Sequence, residues 1–160
     1  MTRPVAAVTG GTGFLGRHVV ASLCAAGWQV RLLARRDPVH PLLAACTFEL
    51  VPGDLGNEAS LSRLVQGADV VVHVAALVKA RGMAEFLAVN RDGTERLATI
   101  VARDAPAARF VLVSSQAART PEVSAYAHSK RAGEDAMKAA LPGGDSPGQA
   151  GMAAASDPAR

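Results

Sequence analysis

In "VAAVTGGTGFLG", residues 5–16, a short apolar run passes directly into regularly spaced glycines. The apolar run predicts a β-strand, and the residues after the glycines have helical spacing. Gly10, Gly13 and Gly16 follow the pattern G-x-x-G-x-x-G. Between a strand and a helix, the first glycine permits a tight turn, the second lets the backbone approach a pyrophosphate, and the third lets the helix pack on the sheet. The stretch therefore predicts a dinucleotide site at a helix N-terminus, where free N–H groups favour phosphate.

Strand and helix signals alternate along the rest of the chain. After the first strand, further strands are predicted in "WQVRLLA" (28–34), "CTFELV" (46–51), "DVVVHVA" (69–75) and "RFVLVSS" (109–115). Helices are predicted after the glycine turn and at 57–66, 83–103 and 124–140, with Asn57 as an N-cap. The alternation predicts an α/β fold with a doubly wound parallel sheet, covered by helices on both faces, over residues 1–140.

The composition changes at residue 141. "LPGGDSPGQAGMAAASDPAR", residues 141–160, is rich in proline and glycine and has few large apolar side chains. Such a segment buries too little apolar surface to offset the entropy lost on ordering. We therefore predict a disordered tail over 141–160.

Composition and charge exclude several classes of function. The chain is 49% hydrophobic and 19% charged, which is typical of a globular protein. Its net charge of +3 comes from dispersed Lys and Arg, which argues against nucleic-acid binding. The apolar runs are too short to span a membrane and no signal peptide is recognisable, so we expect a cytoplasmic protein without a membrane partner. The two cysteines are far apart and no His, Cys or carboxylate cluster predicts a metal site.

The residues at the end of the second strand indicate whether the site prefers NADP or NAD. An acidic residue at this place binds the ribose hydroxyls of NAD, whereas an arginine accommodates the 2′-phosphate of NADP. The sequence has Arg35 at about this position, Arg36 beside it and Asp37 just beyond. We predict NADP as the cofactor, and Asp37 keeps NAD open.

A tyrosine and a lysine share one helix face in "SAYAHSK", residues 124–130. Tyr126 and Lys130 are four residues apart, so a helix stacks their side chains. A lysine ammonium at this distance favours the phenolate form of a tyrosine, which then exchanges a proton with a substrate hydroxyl or carbonyl. The alternative is a surface ion pair between Lys130 and Glu134, one turn further along.

Two polar residues in apolar surroundings have open roles. Asn90 falls on the apolar face of its predicted helix and must satisfy its amide internally. It either supports catalysis or bonds a neighbouring backbone group. His73 ends the fourth strand, and we interpret it as structural.

The chain resembles the extended branch of the short-chain dehydrogenase/reductase superfamily, which contains epimerases, dehydratases and reductases. The resemblance is carried by "TGGTGFLG" (9–16), "GDL" (53–55), "HVAA" (73–76), "VNRDGT" (89–94), "VLVSS" (111–115) and "YAHSK" (126–130), in family order. It implies a Rossmann sheet with five strands in the order 3-2-1-4-5. It also implies a catalytic set of Ser115, Tyr126 and Lys130, with Asn90 in support. The implied cofactor-binding residues are Gly10, Thr12, Gly13, Phe14, Leu15, Gly16, Arg35, Arg36, Asp54, Leu55, Ala75, Ala76, Tyr126 and Lys130.

The function implied by the resemblance is hydride transfer between a nicotinamide cofactor and a small molecule bearing a hydroxyl or carbonyl group. Tyr126 would act as the acid/base in such an oxidoreductase or epimerase. Two alternatives stay open. The chain could hold NADP without turning anything over, or it could use the fold without a cofactor.

The sequence departs from the family after the Tyr126 helix. Extended members continue into a sixth strand and a substrate-binding region, and the residues from 143 onward do not match either one. We therefore expect a truncated or frameshifted product of a longer gene. The loss would leave the edge of strand five unpaired, which invites pairing with another chain and leaves a homo-oligomer open.

Overall fold

The computed structural model describes residues 2–141 and 150–155, the latter by their backbone only. Its strands are β1 (Val5–Thr9), β2 (Gln29–Ala34), β3 (Phe48–Pro52), β4 (Val70–His73), β5 (Arg109–Ser115) and β6 (Ala150–Ala155). They form one parallel sheet in the order β3-β2-β1-β4-β5-β6. The predicted order 3-2-1-4-5 for the first five strands is confirmed.

Five α-helices connect the strands in the described residues, namely α1 (Phe14–Ala25), α2 (Glu58–Val65), α3 (Met83–Leu87), α4 (Gly93–Asp104) and α5 (Ala125–Ala140). The predicted start of α2 is confirmed, because the Asn57 side chain accepts a hydrogen bond from the Ser60 N–H at 3.0 Å. The Ser124 hydroxyl caps α5 in the same way, accepting from the Ala127 N–H at 3.0 Å. Caps of this type satisfy one of the four free N–H groups of a helix start.

The single helix predicted over 83–103 is wrong in one respect. A π-helical turn, Ala88–Asp92, separates α3 from α4. Side-chain periodicity does not distinguish such a turn from a regular helix, because apolar residues continue on both sides of it. The turn contains the buried Asn90, and π-turns of this kind are frequent at functional sites.

The structure also differs from the sequence at the end of the chain. The composition predicts a disordered tail over 141–160, but the backbone of Ala150–Ala155 pairs parallel with β5 from Phe110 to Ser115. The other tail residues, 142–149 and 156–160, lie outside the described residues. The stretch "AGMAAA" has low strand propensity by itself. Its pairing supplies hydrogen-bond partners to the N–H and C=O groups on the edge of β5. Strand propensity does not take this pairing into account.

The core lies on both faces of the sheet. One face packs against α2, α4 and α5 and includes Phe110, Leu61, Leu64 and Leu97. The opposite face is smaller and packs Val8, Val20, Val30 and Leu32 under α1. The two layers fix the carboxyl ends of the strands along one edge, which is where ligands bind in open α/β sheets.

Candidate functional site

In the glycine turn between β1 and α1, two glycines have no room for a side chain and a third one has room. Gly10 has φ +71°, and a Cβ there would meet the Ala75 nitrogen at 2.4 Å. A Cβ on Gly16 would stand 2.0 Å from the Gly10 carbonyl oxygen, because α1 begins directly against the turn. A Cβ on Gly13 would meet only the Gly10 oxygen, at 3.3 Å. The two outer glycines therefore let the backbone fold on itself, and the middle one faces open space.

This open space fits the phosphates of a dinucleotide. Gly13 is the N-cap of α1 and no side chain caps this helix, so the N–H groups of its first turn have no intrahelical partner. No acidic residue lies in the first turn of α1 to compete with an anion. Free N–H groups and the positive end of the helix dipole bind phosphate, so the residues present fit a nicotinamide dinucleotide.

A cleft of about 820 Å³ opens at the carboxyl ends of β1, β2, β4 and β5. Sequence-predicted cofactor residues that line it are Gly10, Thr12, Gly13, Phe14, Leu15, Gly16, Arg35, Asp54, Leu55, Ala75, Ala76, Tyr126 and Lys130. Further lining residues that the sequence did not predict include Leu77, Val78, Val89, Arg96 and Ser114. The cleft thus joins the glycine turn to the Tyr126 helix.

A second cavity of about 630 Å³ adjoins the cleft at the end of β2. Thr12, Ala34 and Arg35 line both spaces, whereas Arg36 lines only the second one. Asp37 and His40 complete its polar wall. The structure therefore places two exposed guanidinium groups and one carboxylate together beside the cleft.

The Tyr126 and Lys130 side chains reach the cleft from α5. Lys130 is only 6% exposed, and its ammonium donates to the Val113 carbonyl of β5 at 2.9 Å. The Tyr126 ring packs beside Phe86, with 6.0 Å between the ring centroids. Burial lowers the pKa of Lys130, and the Glu134 carboxylate acts in the opposite direction. Glu134 itself is only 7% exposed, so the alternative of an ordinary surface pair does not describe these two residues.

Two adjacent serines at the end of β5 have different surroundings. The Ser115 hydroxyl accepts a hydrogen bond from the Ala117 N–H at 3.2 Å and does not line the cleft. Ser114 does line it and donates to Glu134 Oε1 at 2.5 Å. Because side chains alternate along a strand, the two hydroxyls belong to opposite faces of the sheet. This alternation along β5, combined with the face of α5 that carries Tyr126 and Lys130, is the sequence pattern that could have indicated Ser114.

The Asn90 side chain bonds to the Leu77 backbone and to the Ser129 hydroxyl, and it does not line the cleft. Its Oδ1 accepts from the Leu77 N–H at 2.7 Å, and its Nδ2 donates to the Leu77 oxygen and to Ser129 Oγ, both at 2.9 Å. Leu77 belongs to the segment that follows β4 and lines the cleft. The asparagine thus ties this segment to α5, next to Lys130.

His73 lies at the centre of a buried chain of hydrogen bonds. Its Nδ1 is 2.6 Å from Thr9 Oγ1, and its Nε2 is 3.0 Å from Thr94 Oγ1. Thr94 donates its hydroxyl hydrogen to the backbone carbonyl oxygen of Asn90 at 2.7 Å, so its oxygen must accept from the Nε2–H of His73. Nδ1 therefore accepts from Thr9, a tautomer assigned from the network. Burial, with a smaller contribution from the Lys130 charge, lowers the pKa of His73 to about 3.

Comparison with known proteins identifies the family. The sequence model of the NAD dependent epimerase/dehydratase family matches residues 6–147. The chain belongs to this family. It is similar to a ceramide reductase of Caulobacter vibrioides (strain NA1000 / CB15N), with 56% identity over 140 residues, covering 88% of this chain and 44% of that protein. It is also similar to the 4-hydroxy-2-methyl-3-oxo-4-farnesyl-3,4-dihydroquinoline-1-oxide ketoreductase of Stigmatella aurantiaca, with 40% identity over 111 residues, or 69% of this chain and 33% of that one.

Two solved structures with bound NAD have the same fold. A short-chain dehydrogenase/reductase superfamily protein from Agrobacterium tumefaciens with bound NAD superposes with a TM-score of 0.73 at 26% identity, covering 92% of this chain and 47% of its own. MoeE5 in complex with UDP-glucose and NAD gives a TM-score of 0.73 at 25% identity, covering 93% of this chain and 52% of its own. The chain thus spans about half the length of these two proteins.

The described residues carry neither a membrane span nor a metal centre of protein side chains. None of the helices in 2–141 combines the length and apolar character needed to cross a bilayer. Within the same part of the chain, His, Cys, Asp and Glu side chains do not gather in groups of three or more that could hold a metal ion.

Proposed function

We propose that this chain binds NADP in the cleft and reduces a ketone on an apolar small molecule, with Tyr126 as the proton donor. One observation carries the proposal: Tyr126 and Lys130 line the same cleft as the glycine turn. A phosphate cradle and an acid/base pair in one cleft are the two parts that hydride transfer needs from a protein, since the cofactor supplies the hydride itself.

Tyr126, Lys130 and Asn90 each have a defined task in this proposal. Tyr126 gives its hydroxyl proton to the carbonyl oxygen of the substrate, and the Lys130 ammonium stabilises the phenolate that remains. Ser115 accepts from the Ala117 N–H and does not line the cleft, so the proposal gives it no contact with the substrate. Asn90 supports the site by fixing the Leu77 segment. The reverse reaction, oxidation of a hydroxyl, uses the same groups in the opposite order.

The preference for NADP rests on the cavity at the end of β2. Arg35 and Arg36 both line it and are exposed, so they can approach a 2′-phosphate. Arginine binds phosphate through a planar fork of donors, which Asp37 alone could not provide. Asp37 would instead accept the ribose hydroxyls of NAD.

The substrate is proposed from the relatives and from the apolar mouth of the cleft. One relative described above is named a ceramide reductase and the other a ketoreductase of a farnesyl-bearing molecule, so both names join a reduction to a molecule with a long hydrocarbon part. Val78 lines the cleft and is 67% exposed. An exposed apolar side chain at a cleft mouth suits a hydrocarbon chain. We therefore propose a ketone-bearing lipid of the ceramide type as the substrate class.

The experiment compares the wild-type chain with Tyr126→Phe. Oxidation of NADPH is followed with a ceramide-type ketone, and binding of NADPH is followed by the rise in melting temperature. We expect turnover by the wild type, and we expect Tyr126→Phe to lose it while keeping the thermal shift. Lys130→Met should also lose turnover, whereas Lys138→Met, at an exposed position of the same helix, should keep it.

The outcomes separate the candidate functions. A thermal shift with NADPH and no turnover of any ketone would favour the second candidate, an NADP-binding module. Equal turnover by wild type and Tyr126→Phe would overturn the role of Tyr126.

A further inference from the structure

We propose that Glu134 is a positioning residue of this cleft, which anchors α5 on β5 through Ser114 and stabilises the Lys130 ammonium by its charge. The significance of this role for catalysis rests on the proposed function. The role itself can be tested on the chain without any turnover. Nothing in the family match or in the relatives' names assigns a function to Glu134.

The first observation is the burial of two opposite charges on one helix face. Glu134 follows Lys130 by one turn of α5, and the two residues are 7% and 6% exposed. Isolated buried charges are costly unless they are bonded or compensated. Glu134 has a bonded oxygen, because Ser114 donates its hydroxyl hydrogen to Oε1 at 2.5 Å.

The second observation is the register that these bonds impose. Lys130 binds the Val113 carbonyl at 2.9 Å, and Glu134 binds the side chain of the next residue, Ser114. Two residues one turn apart on α5 therefore hold two consecutive residues of β5. Because Tyr126 precedes Lys130 by one further turn, the same bonds set where Tyr126 meets the cleft.

The effect of Glu134 on Lys130 is electrostatic and not a direct ion pair. Ion pairs within 4.0 Å among the described residues are Arg31–Glu49, Arg91–Asp92, Arg103–Asp104 and Arg131–Asp135. Lys130 and Glu134 are not among them. In a buried setting a carboxylate still acts on an ammonium at longer range, since little water screens the two charges.

The other groups that face Lys130 do not supply a counter-charge. His73, on β4, is neutral because burial and the Lys130 charge lower its pKa to about 3. Tyr126, on α5, carries a hydroxyl. Burial lowers the pKa of Lys130, and the Glu134 charge partly restores it. Removing that charge should therefore lower the pKa of Lys130 further.

The test is the titration of Lys130 in Glu134→Gln, followed by NMR of protein labelled with ¹³C in its lysine side chains. The sequence has three lysines, Lys79, Lys130 and Lys138, so Lys79→Arg and Lys138→Arg assign the spectrum. Glutamine keeps an oxygen that can accept from Ser114 and removes only the charge. We expect the Lys130 resonance to titrate at a lower pH in Glu134→Gln than in the wild type.

Asp135→Asn is the matched control. Asp135 is the next residue on α5, its side chain is 59% exposed, and it pairs with Arg131 at 3.4 Å. We expect this variant to leave the Lys130 titration unchanged. An unchanged titration in Glu134→Gln, or an equal shift in both variants, would overturn the proposal. If the wild-type chain reduces no ketone, this result would count against the proposed function only.

A second variant decides the matter if Glu134→Gln has no cooperative melt. Glu134→Asp keeps the charge but shortens the reach to Ser114. A Lys130 resonance that titrates close to its wild-type pH in this variant supports the role of the charge. A Lys130 resonance that titrates at a clearly lower pH in Glu134→Asp, although the charge is kept, would contradict that role.

Discussion

Replacing Gly13 and Gly16 by alanine should separate cofactor binding from folding. Gly13 has φ −76° and ψ 174°, a conformation open to alanine, and a Cβ there meets only the Gly10 oxygen at 3.3 Å. That methyl group would stand on the open side of the turn, where the phosphates are proposed to lie. A Cβ on Gly16 would instead stand 2.0 Å from the Gly10 oxygen and 2.7 Å from the Gly11 Cα, both of which are backbone atoms.

The magnitudes follow from these distances. Overpacking against a backbone that must shift typically costs about 1–3 kcal/mol, and in a chain of this size each kcal/mol lowers the melting temperature by about 2–4 °C. Gly16→Ala should therefore melt about 2–12 °C below the wild type. Gly13→Ala should stay within about 1 kcal/mol of the wild type, because alanine also restricts the unfolded chain. NADPH at a hundredfold excess over its Kd stabilises by about 2.7 kcal/mol, and Gly13→Ala should lose this gain.

The assay is a melting curve of each variant with and without NADPH. Gly82→Ala is the control, since Gly82 is exposed and a Cβ there has no atom within 4 Å. We expect the control to behave like the wild type in both conditions. A Gly13→Ala variant that keeps the full NADPH shift would refute the placement of the phosphates at this turn. A Gly16→Ala variant as stable as the wild type would refute the argument from close packing.

Three further predictions concern pH, cofactor choice and a helix cap. The pKa of His73 is lowered to about 3, so the folded chain binds this proton less readily than the unfolded chain, whose histidine titrates near the usual 6.5. The unfolding free energy should therefore fall as pH decreases from 6.5 toward 3, by up to ~1.4 kcal/mol per pH unit, and urea unfolding should show a smaller fall in His73→Asn but not in the exposed His128→Asn. Arg35→Ser should weaken NADPH binding by about tenfold or more while changing NADH binding little, as measured by fluorescence titration; an equal loss for both cofactors would exclude contact with the 2′-phosphate. Asn57→Ala should reduce the unfolding free energy by about 1 kcal/mol in urea, because the Ser60 N–H loses its cap; no change would mean that water replaces it at no cost.

The parts of the fold that depend on local chemistry could be predicted from the sequence. Strand order follows from alternating strands and helices together with the family resemblance, and the Asn57 cap follows from its own side chain. The glycine spacing predicted a turn pressed against a helix, and the Gly10 and Gly16 environments have that geometry. These features are visible because each depends on a few neighbouring residues.

The remaining features depend on contacts between distant residues. The buried Glu134 accepts a hydrogen bond from Ser114, which is 20 residues earlier in the chain. The π-helical turn at Ala88–Asp92 turns Asn90 toward Leu77 and Ser129, and helical periodicity contains no sign of it. The strand Ala150–Ala155 depends on the open edge of β5 and not on its own composition. In each case tertiary pairing decides what local propensity leaves undetermined.

Whether the glycine turn and the Tyr126 helix form one cofactor cleft is best tested by melting curves of the 160-residue chain without ligand, with NADPH and with NADH. We expect a cooperative transition that NADPH raises by several degrees and NADH raises less. A rise with NADH alone would move the selectivity from Arg35 to Asp37. A cooperative transition that neither cofactor shifts, at concentrations far above those that saturate related dehydrogenases, would contradict the claim that the glycine turn and the Tyr126 helix form one cofactor cleft.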